Sequence, residues 1–393
     1  MYEQASISDI ADVVTGKTPS TKDSGLWEPD IPFITPKDLQ TTKHIATTDR
    51  HVSNAVKDRY SKQVVPAGSV CVSCIGNLGY VGVTEVTSLT NQQINTIVPN
   101  DPCDSDYLYY AMRWLWPYFK HLEGQSTTLS IINKSQFKRT SIPWPNQRLR
   151  QRISDILNRF DDMIELNLRT NDYLAELLDV LFVDMLNDAD ASWERLSLLD
   201  IASYKNGLAM QKFRPAPGDP GLPVLKIKEL GQGVCTPDSE RCASTIDESV
   251  KIHDGNLVFS WSGTLLLDFW AGGDAGLNQH LFKVTSDRYP SWLYYLWTKH
   301  HMDRFIMLAK DRATTMGHIK RSALAESEVL IPPVEQLEVL TRRMQPIVDE
   351  LVVNKIQSRN LAGLRDVLLP KLMSGEIDVS NVRLSTLPNN HLV

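Results

Sequence analysis

The sequence predicts an α+β protein organised as a tandem duplication. Two similar mixed domains are each followed by a long helix, and the two helices pair as an antiparallel coiled coil about an approximate two-fold axis. An ordered series of short matches recurs at a spacing of about 190 residues along the chain. Each copy opens with short apolar runs separated by Gly and Pro, and it closes with apolar residues at alternating steps of four and three.

Internal similarity sets the domain organisation. Asp9-Ile10-Ala11 recurs as Asp200-Ile201-Ala202, a shift of 191 residues, and further along the shift settles at 187. The matches at the second shift are Gly68 with Gly255, Ser73 with Ser260, Gly76 with Gly263, Asn91-Gln92 with Asn278-Gln279, and Thr127-Thr128 with Thr314-Thr315. The segments we predict are 1–146 and 191–334 for the two domains, 147–190 and 335–375 for the two long helices, and 376–393 for a C-terminal tail.

The sequence patterns of the two domain copies are typical of mixed α and β structure. Apolar runs at 70–72 and 256–259, each followed by a glycine-containing turn, predict buried strands. Capping residues predict helices over 106–116, which Pro117 should end, and over 292–300.

A heptad seam predicts the two long helices. In the first helix it comprises Ile153, Leu157, Phe160, Ile164, Asn167, Asn171, Leu174, Leu178, Leu181 and Met185. Shifted by 187 residues, the second seam comprises Leu340, Met344, Ile347, Leu351, Asn354, Ser358, Leu361, Arg365, Leu368 and Leu372. The helix-pairing residues are therefore expected to include Leu157, Ile164, Asn167, Asn171, Leu174, Met344, Leu351, Asn354, Ser358 and Leu361.

Small polar residues interrupt both seams at their centres. A buried Asn needs a hydrogen-bonding partner, and an antiparallel pairing sets the two interruptions against each other. The alternative is two separate amphipathic helices, each packed on its own domain with its Asn side chains in solvent. About 38 helical residues rise about 57 Å at 1.5 Å per residue. We expect Pro346 to kink the second helix, Pro370 to weaken its end, and Arg365 to lie at the edge of the seam.

Composition excludes several classes of protein. With 42% hydrophobic and 22% charged residues over 393 positions, the chain is neither disordered nor collagen-like. It lacks a long apolar span and an evident signal peptide, and its five cysteines suit a reduced, cytoplasmic protein. Its net charge of −6 is concentrated at 147–190, which holds 5 basic and 10 acidic residues. The rest is nearly neutral, so a DNA-binding surface elsewhere remains possible.

Catalytic signatures are missing. Gly16-Lys17-Thr18 imitates the end of a phosphate-binding loop, but Ala11 occupies the position where that loop needs its first glycine. Cys71 and Cys74 form one Cys-x-x-Cys without a second pair at zinc-ribbon spacing. No lysine follows Asp or Glu by two positions, and no Asn-Pro-Pro-aromatic run is present. The sequence predicts a non-catalytic binder without a metal or cofactor of its own.

The order of motifs, repeated twice, resembles the specificity (S) subunit of type I restriction–modification systems over essentially the whole chain. The motifs are Ile31-Pro32-Phe33-Ile34 with Lys37-Asp38-Leu39, Gly68 to Gly76 with Asn91-Gln92, Gly255 to Gly263 with Asn278-Gln279, Ile142-Pro143-Trp144-Pro145 with Gln147, and Ile331-Pro332-Pro333 with Gln336. At 144–147, Trp-Pro-Asn-Gln replaces the family's more usual leucine and Glu-Gln, which affects local packing only.

The resemblance implies two target-recognition domains that read the two halves of a bipartite, asymmetric DNA sequence. It further implies helices that fix the spacer length and dock two modification (methyltransferase) subunits, with restriction (endonuclease/translocase) subunits added for cleavage. S-adenosylmethionine, ATP and Mg would be used by those partner subunits.

Clustered cations and hydroxyls are the candidate DNA contacts, because they suit phosphate binding and guanine reading. They are Lys37, Lys43, Arg50, Lys57, Arg59, Lys62, Thr127, Thr128 and Lys134 in the first domain, and Lys212, Arg214, Lys226, Lys228, Arg312, Thr314, Thr315, Lys320 and Arg321 in the second. The alternative for each residue is a solvated surface charge. Acidic residues of the first helix, including Asp161, Asp162 and Glu165, are hypothesised to bind basic surfaces of partner subunits, or else to solubilise the outer face.

Other functions remain open at this stage. A self-contained DNA methyltransferase or nuclease would need catalytic motifs that are missing. A non-enzymatic scaffold or adaptor could bind protein partners instead of DNA, and a stand-alone decoy specificity subunit is a further alternative.

Overall fold

The computed structural model describes residues 2–40, 42–124, 130–310, 319–380 and 382. Its contacts divide the chain into two compact units, each of which contains one domain and part of both long helices. Unit 1 comprises Met1–Glu165 with Leu361–Val393, and unit 2 comprises Leu166–Asn360. Among the described residues, no helix is both long enough and apolar enough to span a bilayer.

Unit 1 is built on three small sheets. Its strands are β1 (Gln4–Ser6), β2 (Ala11–Thr15), β3 (Ile31–Ile34), β4 (His44–Ile45), β5 (His51–Val52), β6 (Val64–Val65), β7 (Val70–Ser73), β8 (Val81–Thr84), β9 (Ser88–Thr90), β10 (Ile94–Pro99) and β11 (Ser141–Pro143). The sheet orders are β2-β10-β7-β8-β4, β5-β3-β9-β6 and β1-β11. Its helices are α1 (Ile7–Ile10), α2 (Val56–Arg59), α3 (Ser105–Trp114), α4 (Trp116–Gly124), α5 (Lys134–Lys138) and the start of α6 (Gln147–Asn187).

Unit 2 repeats this arrangement. Its strands are β12 (Glu194–Ser197), β13 (Ser203–Asn206), β14 (Leu222–Leu225), β15 (Arg241–Cys242), β16 (Lys251–Ile252), β17 (Leu257–Ser260), β18 (Leu267–Phe269), β19 (Ala275–Leu277), β20 (Leu281–Thr285) and β21 (Glu328–Ile331). The sheet orders are β13-β20-β17-β18, β15-β14-β19-β16 and β12-β21. Its helices are α7 (Leu198–Ile201), α8 (Ile227–Gln232), α9 (Ser291–His300), α10 (Met302–Lys310), α11 (Arg321–Ala325) and most of α12 (Val334–Ser374).

The matching sheet orders confirm the predicted α+β duplication. In both units a central strand pairs antiparallel with one neighbour and parallel with another: β3 with β5 and β9, and β14 with β15 and β19. The difference is β4, which adds a parallel edge to β8 in unit 1 and has no counterpart among the described residues of unit 2.

Gly16 and Gly207, which correspond at the shift of 191 residues, show why the matched motifs matter for the fold. A Cβ on Gly16 would lie 2.1 Å from the carbonyl oxygen of Asn91, and one on Gly207 would lie 2.2 Å from that of Leu277. Only a residue without a side chain permits this close approach of backbone to backbone. Gly16 is therefore required by strand packing, which agrees with the rejection of a phosphate loop there.

The helix that precedes Pro117 ends earlier than expected. The prediction placed its end at residue 116, but α3 stops at Trp114 and α4 begins at Trp116, with Pro117 in its first turn. This position suits proline because its missing N–H would have no partner inside the helix. Pro117 thus opens a second helix.

Each long helix has 41 residues and contributes buried side chains to both hydrophobic cores. Leu157 and Leu372 belong to the hydrophobic core of unit 1, and Leu178, Met344 and Leu351 to that of unit 2. The helical backbone of α12 continues through both Pro346 and Pro370.

Polar interruptions in the two seams meet within unit 2. The Asn167 amide donates to Ser358 Oγ at 3.2 Å, and the Asn354 amide donates to Asn171 Oδ1 at 3.0 Å. The Asn171 amide also donates to the carbonyl of Leu351 at 3.1 Å. Partner numbers fall along α12 as they rise along α6, so the helices are antiparallel, as predicted.

Burial excludes the alternative in which these Asn side chains project into solvent. Asn167 and Asn354 are each 6% exposed. Ile164, Leu174 and Leu361 are half-buried along the same seam. The polar positions therefore specify register through hydrogen bonds, while the apolar positions supply burial.

Candidate nucleic-acid interface

Besides Lys37, three of the candidate DNA contacts in the first domain are exposed lysines. Lys57 lies on α2, Lys62 follows it, and Lys134 opens α5. Such flexible ammonium groups at the surface suit contacts to phosphate.

Lys37 and Arg59 are exposed but paired. Lys37 Nζ lies 2.7 Å from Asp49 Oδ2, and Arg59 forms an ion pair with Asp23. The hydrogen bond with Lys37 lowers the pKa of Asp49, and the same bond raises the pKa of Lys37. Exposed ion pairs contribute little to stability, so a phosphate group can replace either carboxylate at little cost.

Arg50 rests on an aromatic platform. Its guanidinium carbon lies 4.2 Å from the ring centroid of Trp27 and 5.2 Å from that of Phe33. Arg50 is itself exposed, so stacking orients the guanidinium while its edge remains accessible.

Lys43 is a correction to the predicted interface. Its side chain is 6% exposed, with Nζ 2.7 Å from Asp106 Oδ1 and 4.8 Å from the ring centroid of Tyr110. It also donates to Asn158 on α6, and so it links strand β4, helix α3 and the long helix. The lysine is enclosed by protein partners and cannot reach DNA in this conformation. Sequence clustering could not distinguish it from its exposed neighbours.

In the second domain, five candidate cations are exposed. They are Lys212, Arg214, Lys228, Lys320 and Arg321. Arg214 and Lys226 share one carboxylate, with Glu240 Oε1 2.8 Å from the arginine and Glu240 Oε2 2.6 Å from the lysine. The hydrogen bond from Lys226 and the charge of Arg214 lower the pKa of Glu240 despite some desolvation.

The remaining candidates lie outside the described residues. They are Thr127, Thr128, Arg312, Thr314 and Thr315.

The acidic face hypothesised on the first helix is partly internal, which is a second correction. Asp161 pairs with Arg365 of α12 and accepts a 2.6 Å hydrogen bond from the Tyr110 hydroxyl. Arg365 is 8% exposed and also contacts Asp366 at 2.9 Å, so it lies inside the helix pairing and not at its edge. Asp161 is therefore structural, whereas Asp162 is exposed.

The described residues contain no group of three His, Cys, Asp or Glu side chains placed to hold a metal ion. Cys71 and Cys74 are buried thiols in the first domain, and burial raises the pKa of each to about 12. The raised pKa disfavours the thiolate, so neither thiol is a ready nucleophile.

Comparison with known proteins points to one family. Residues 1–176 match the family model described as the type I restriction modification DNA specificity domain. Over an alignment of 415 positions, the chain is 28% identical to the type I restriction enzyme MjaIX specificity subunit of Methanocaldococcus jannaschii, and the alignment covers 97% of this chain and 94% of the relative. The chain is therefore similar to type I restriction enzyme specificity subunits over nearly its whole length, and its first 176 residues match their DNA specificity domain.

Further relatives agree with the specificity-subunit assignment. The HindI specificity subunit of Haemophilus influenzae is 31% identical over 189 residues, which span 47% of this chain and 41% of that relative. The crystal structure of a type I restriction–modification S subunit from M. genitalium has a TM-score of 0.50 at 17% identity, covering 95% of this chain and 96% of that chain. That structure supports the fold.

As a specificity subunit, the chain is a non-catalytic component that binds DNA and assembles with other subunits of a restriction–modification complex. This identification removes the self-contained DNA enzyme and the protein-binding scaffold from the alternatives. It also places function in surfaces, since recognition and assembly require no reacting groups.

Sequence reasoning missed an exposed apolar face on the long helices. The side chains are Leu166, Leu177 and Val180 on α6 and Val353, Leu364 and Val367 on α12, all at least 44% exposed. The two sets lie 187 residues apart, and steps of eleven and three place each set on one helix face. The signal was present in the sequence as a second apolar stripe beside the seam.

Proposed function

We propose that this specificity subunit reads a bipartite, asymmetric DNA target, with each domain contacting one half. The observation that carries the proposal is the duplication itself, in which the same three-sheet arrangement occurs twice. Several exposed cations differ between the copies, with Lys57 and Lys62 in one and Lys212 and Lys320 in the other. Two similar folds with different surfaces suit two unlike half-sites.

Salt-dependent binding tests the DNA surfaces. The full chain, in complex with its modification subunits, is titrated with duplexes containing its target by fluorescence anisotropy at increasing salt. Lys57→Ala/Lys62→Ala in one domain and Lys212→Ala/Lys228→Ala in the other should each reduce the salt slope by about one to two. Gln151→Ala, an exposed position on α6, is the matched control. Slopes equal to wild type for both double variants would contradict these contacts.

We further propose that the repeated apolar face docks two modification subunits, one on each copy. Exposed apolar side chains that recur on one face of both long helices favour a binding surface. Exposed acids flank it on α6, including Asp172 and Glu176. A partner with an apolar groove bordered by basic residues would complement this surface. The repeat supports a stoichiometry of two.

Stoichiometry tests the docking surface. Native mass spectrometry should find two modification subunits on the wild-type chain and on the control Gln151→Glu. One should remain bound for Leu177→Glu/Val180→Glu or for Leu364→Glu/Val367→Glu, and none when all four substitutions are combined. Two bound subunits on the quadruple variant would exclude this face.

Under this proposal the chemistry belongs to the partners. The modification subunits use S-adenosylmethionine, and the restriction subunits use ATP and Mg, in the cytoplasm where the target DNA lies. The isolated chain incubated with labelled S-adenosylmethionine and DNA should transfer no methyl groups, whereas adding modification subunits should start transfer.

A further inference from the structure

Each domain contains a corner where three chain segments meet at the end of a central strand. In the first domain, residues 74–77 follow β7, and 92–93 and 130–132 lie beside them. The amide of Cys74 donates to the carbonyl of Gln93 at 2.7 Å, and the amide of Ile132 donates to that of Cys74 at 2.8 Å. Ile75 also forms a bridge with Ile131.

The second domain repeats this corner around residues 261–264, 279–280 and 319. The amide of Trp261 donates to the carbonyl of His280 at 3.3 Å, and the amide of Ile319 donates to that of Trp261 at 3.0 Å. The two corners therefore share a backbone hydrogen-bond pattern.

Shared residues hold the backbone of both corners. Buried Asn91 accepts from the Gln93 amide at 3.0 Å, and buried Asn278 accepts from the His280 amide at 3.3 Å. Side chains at the remaining positions differ. The pairs, first domain before second, are Gln93 and His280, Ile75 and Ser262, and Cys74 and Trp261. A common scaffold that carries different side chains is what two different half-sites require.

In the first domain the corner combines an oriented amide with apolar surface. Gln93 Oε1 accepts from the Asn91 amide at 3.0 Å, which fixes the side chain while leaving its own NH2 group and a second lone pair for a ligand. Ile131 is 56% exposed beside it. A glutamine amide pairs with adenine N6 and N7, and an apolar side chain contacts the thymine methyl group.

In the second domain the same place carries an imidazole. His280 Nδ1 lies 3.0 Å from Ser262 Oγ, and Trp261 packs against the ring with centroids 5.9 Å apart. The side-chain NH2 group of Gln279 lies 3.2 Å from His280 Nε2 and can only donate, so Nε2 accepts and the ring proton on Nδ1 is donated to Ser262 Oγ. A G·C pair presents the amino group of cytosine N4 in the major groove, a donor for which an imidazole Nε2 is the matching acceptor.

Exposed cations flank both corners. Lys134 follows the first at the start of α5, and Lys320 and Arg321 follow the second at the start of α11. Such cations suit the phosphates on either side of a contacted base.

We propose that these corners are specificity-determining sites, with Gln93, Ile75 and Ile131 reading an A·T pair in one half-site and His280, oriented by Ser262, reading a G·C pair in the other. The inference rests on the proposed function and assigns residues to it.

Reciprocal exchange tests the assignment. The complex of the full chain with its modification subunits selects targets from a randomised duplex library, using wild type, Gln93→His, His280→Gln and the truncation Gln93→Ala. Gln93→His should move one base pair of one half-site from A·T towards G·C by about fivefold or more, and His280→Gln should make the opposite change in the other half-site. Gln93→Ala should lose about fivefold or more of the discrimination at that pair.

The controls separate the possible failures. Thermal midpoints and low-salt binding to random DNA should match wild type for each single variant. Folded variants that keep wild-type preferences at every position would overturn this inference and leave the proposed function intact. A wild-type complex without sequence preference would overturn the proposed function, and this inference with it.

Discussion

The two units differ in the chemistry of the buried contact between domain and long helices, which is polar in unit 1 and apolar in unit 2. In unit 1 the long helices meet the domain at a buried cluster of Tyr110, Asp161 and Arg365. When α3 and α9 are matched at their first residues and the long helices at a shift of 187, the equivalent positions in unit 2 are Leu296, Val348 and Leu178. These belong to its hydrophobic core. One copy therefore uses a hydrogen-bonded ion pair where the other uses three aliphatic side chains.

An ion pair between a domain helix and a long helix occurs at the edge of this contact in both copies. Arg113 on α3 lies 3.5 Å from Asp366 on α12, and Lys299 on α9 lies 2.6 Å from Asp179 on α6. The difference teaches that the fold requires a filled, satisfied contact at the buried positions without requiring its polarity. A buried ion pair and a well-packed apolar cluster can be nearly equivalent in stability.

The largest expected effect comes from breaking the buried pair of unit 1. Arg365→Leu leaves Asp161 buried without its cation, and it should lower the free energy of unfolding by about 3–5 kcal/mol. Tyr110→Leu/Asp161→Val/Arg365→Leu installs the side chains of unit 2 and should recover most of that loss. Urea denaturation measures both variants. A triple variant as unstable as the single one would show that the two solutions are not exchangeable.

The polar interruption of the seam in unit 2 should give the next largest effect. Asn167→Ala removes hydrogen bonds to Ser358 and to the carbonyl of Asn354, leaving buried polar groups unpaired. We expect a loss of about 1–3 kcal/mol in the same assay. Asp172→Ala, exposed on the same helix, should change stability by less than about 0.5 kcal/mol. Equal effects of the two substitutions would show that the Asn side chains do not specify the register of the helices.

Two lysines of the first domain should separate anchoring from DNA binding. Lys43→Ala breaks the link to Asp106 and Asn158, and we expect a loss of about 1–2 kcal/mol in the free energy of unfolding. Lys57→Ala should leave stability unchanged and weaken DNA binding at low salt. The second domain is anchored from the helix instead, where Arg359 of α12 binds Asp254 at 2.7 Å. If Lys43→Ala had the stability of wild type, Lys43 would not anchor the first domain to the long helix.

A pH effect confined to unit 2 should be the smallest. Hydrogen bonds to Asp274 and Glu248 raise the pKa of His253, and Lys251 pairs with the same Glu248. Because the folded-state pKa is raised, this stabilisation is complete below about pH 6.5 and is lost as pH rises through the folded value. Thermal midpoints of wild type should therefore fall over that range relative to those of His253→Asn. Parallel curves for the two proteins would contradict the effect.

Patterns fixed by chain periodicity were predictable from the sequence. The repeat, the two long helices and their antiparallel pairing followed from the seam and its polar residues, because helical spacing translates directly into a face. The function followed from the order of the repeated motifs.

Residues whose roles depend on tertiary neighbours were not predictable. Lys43 and Lys57 look alike in sequence, but only Lys43 lies beside Asp106 and two tyrosine rings. Arg365 occupies a seam position, and its burial depends on Asp161 about 200 residues earlier. The corner residues Gln93 and His280 carried no sequence signal, because neither belongs to a charged cluster.

Mapping of methylated adenines tests the central claim, that two copies of one domain each read their own half-site. The chain is co-expressed with its modification subunits, and the modified positions across a genome are aligned. We predict two unlike specified tracts separated by an unspecified stretch of constant length. A single continuous tract, or two identical tracts, would contradict the account.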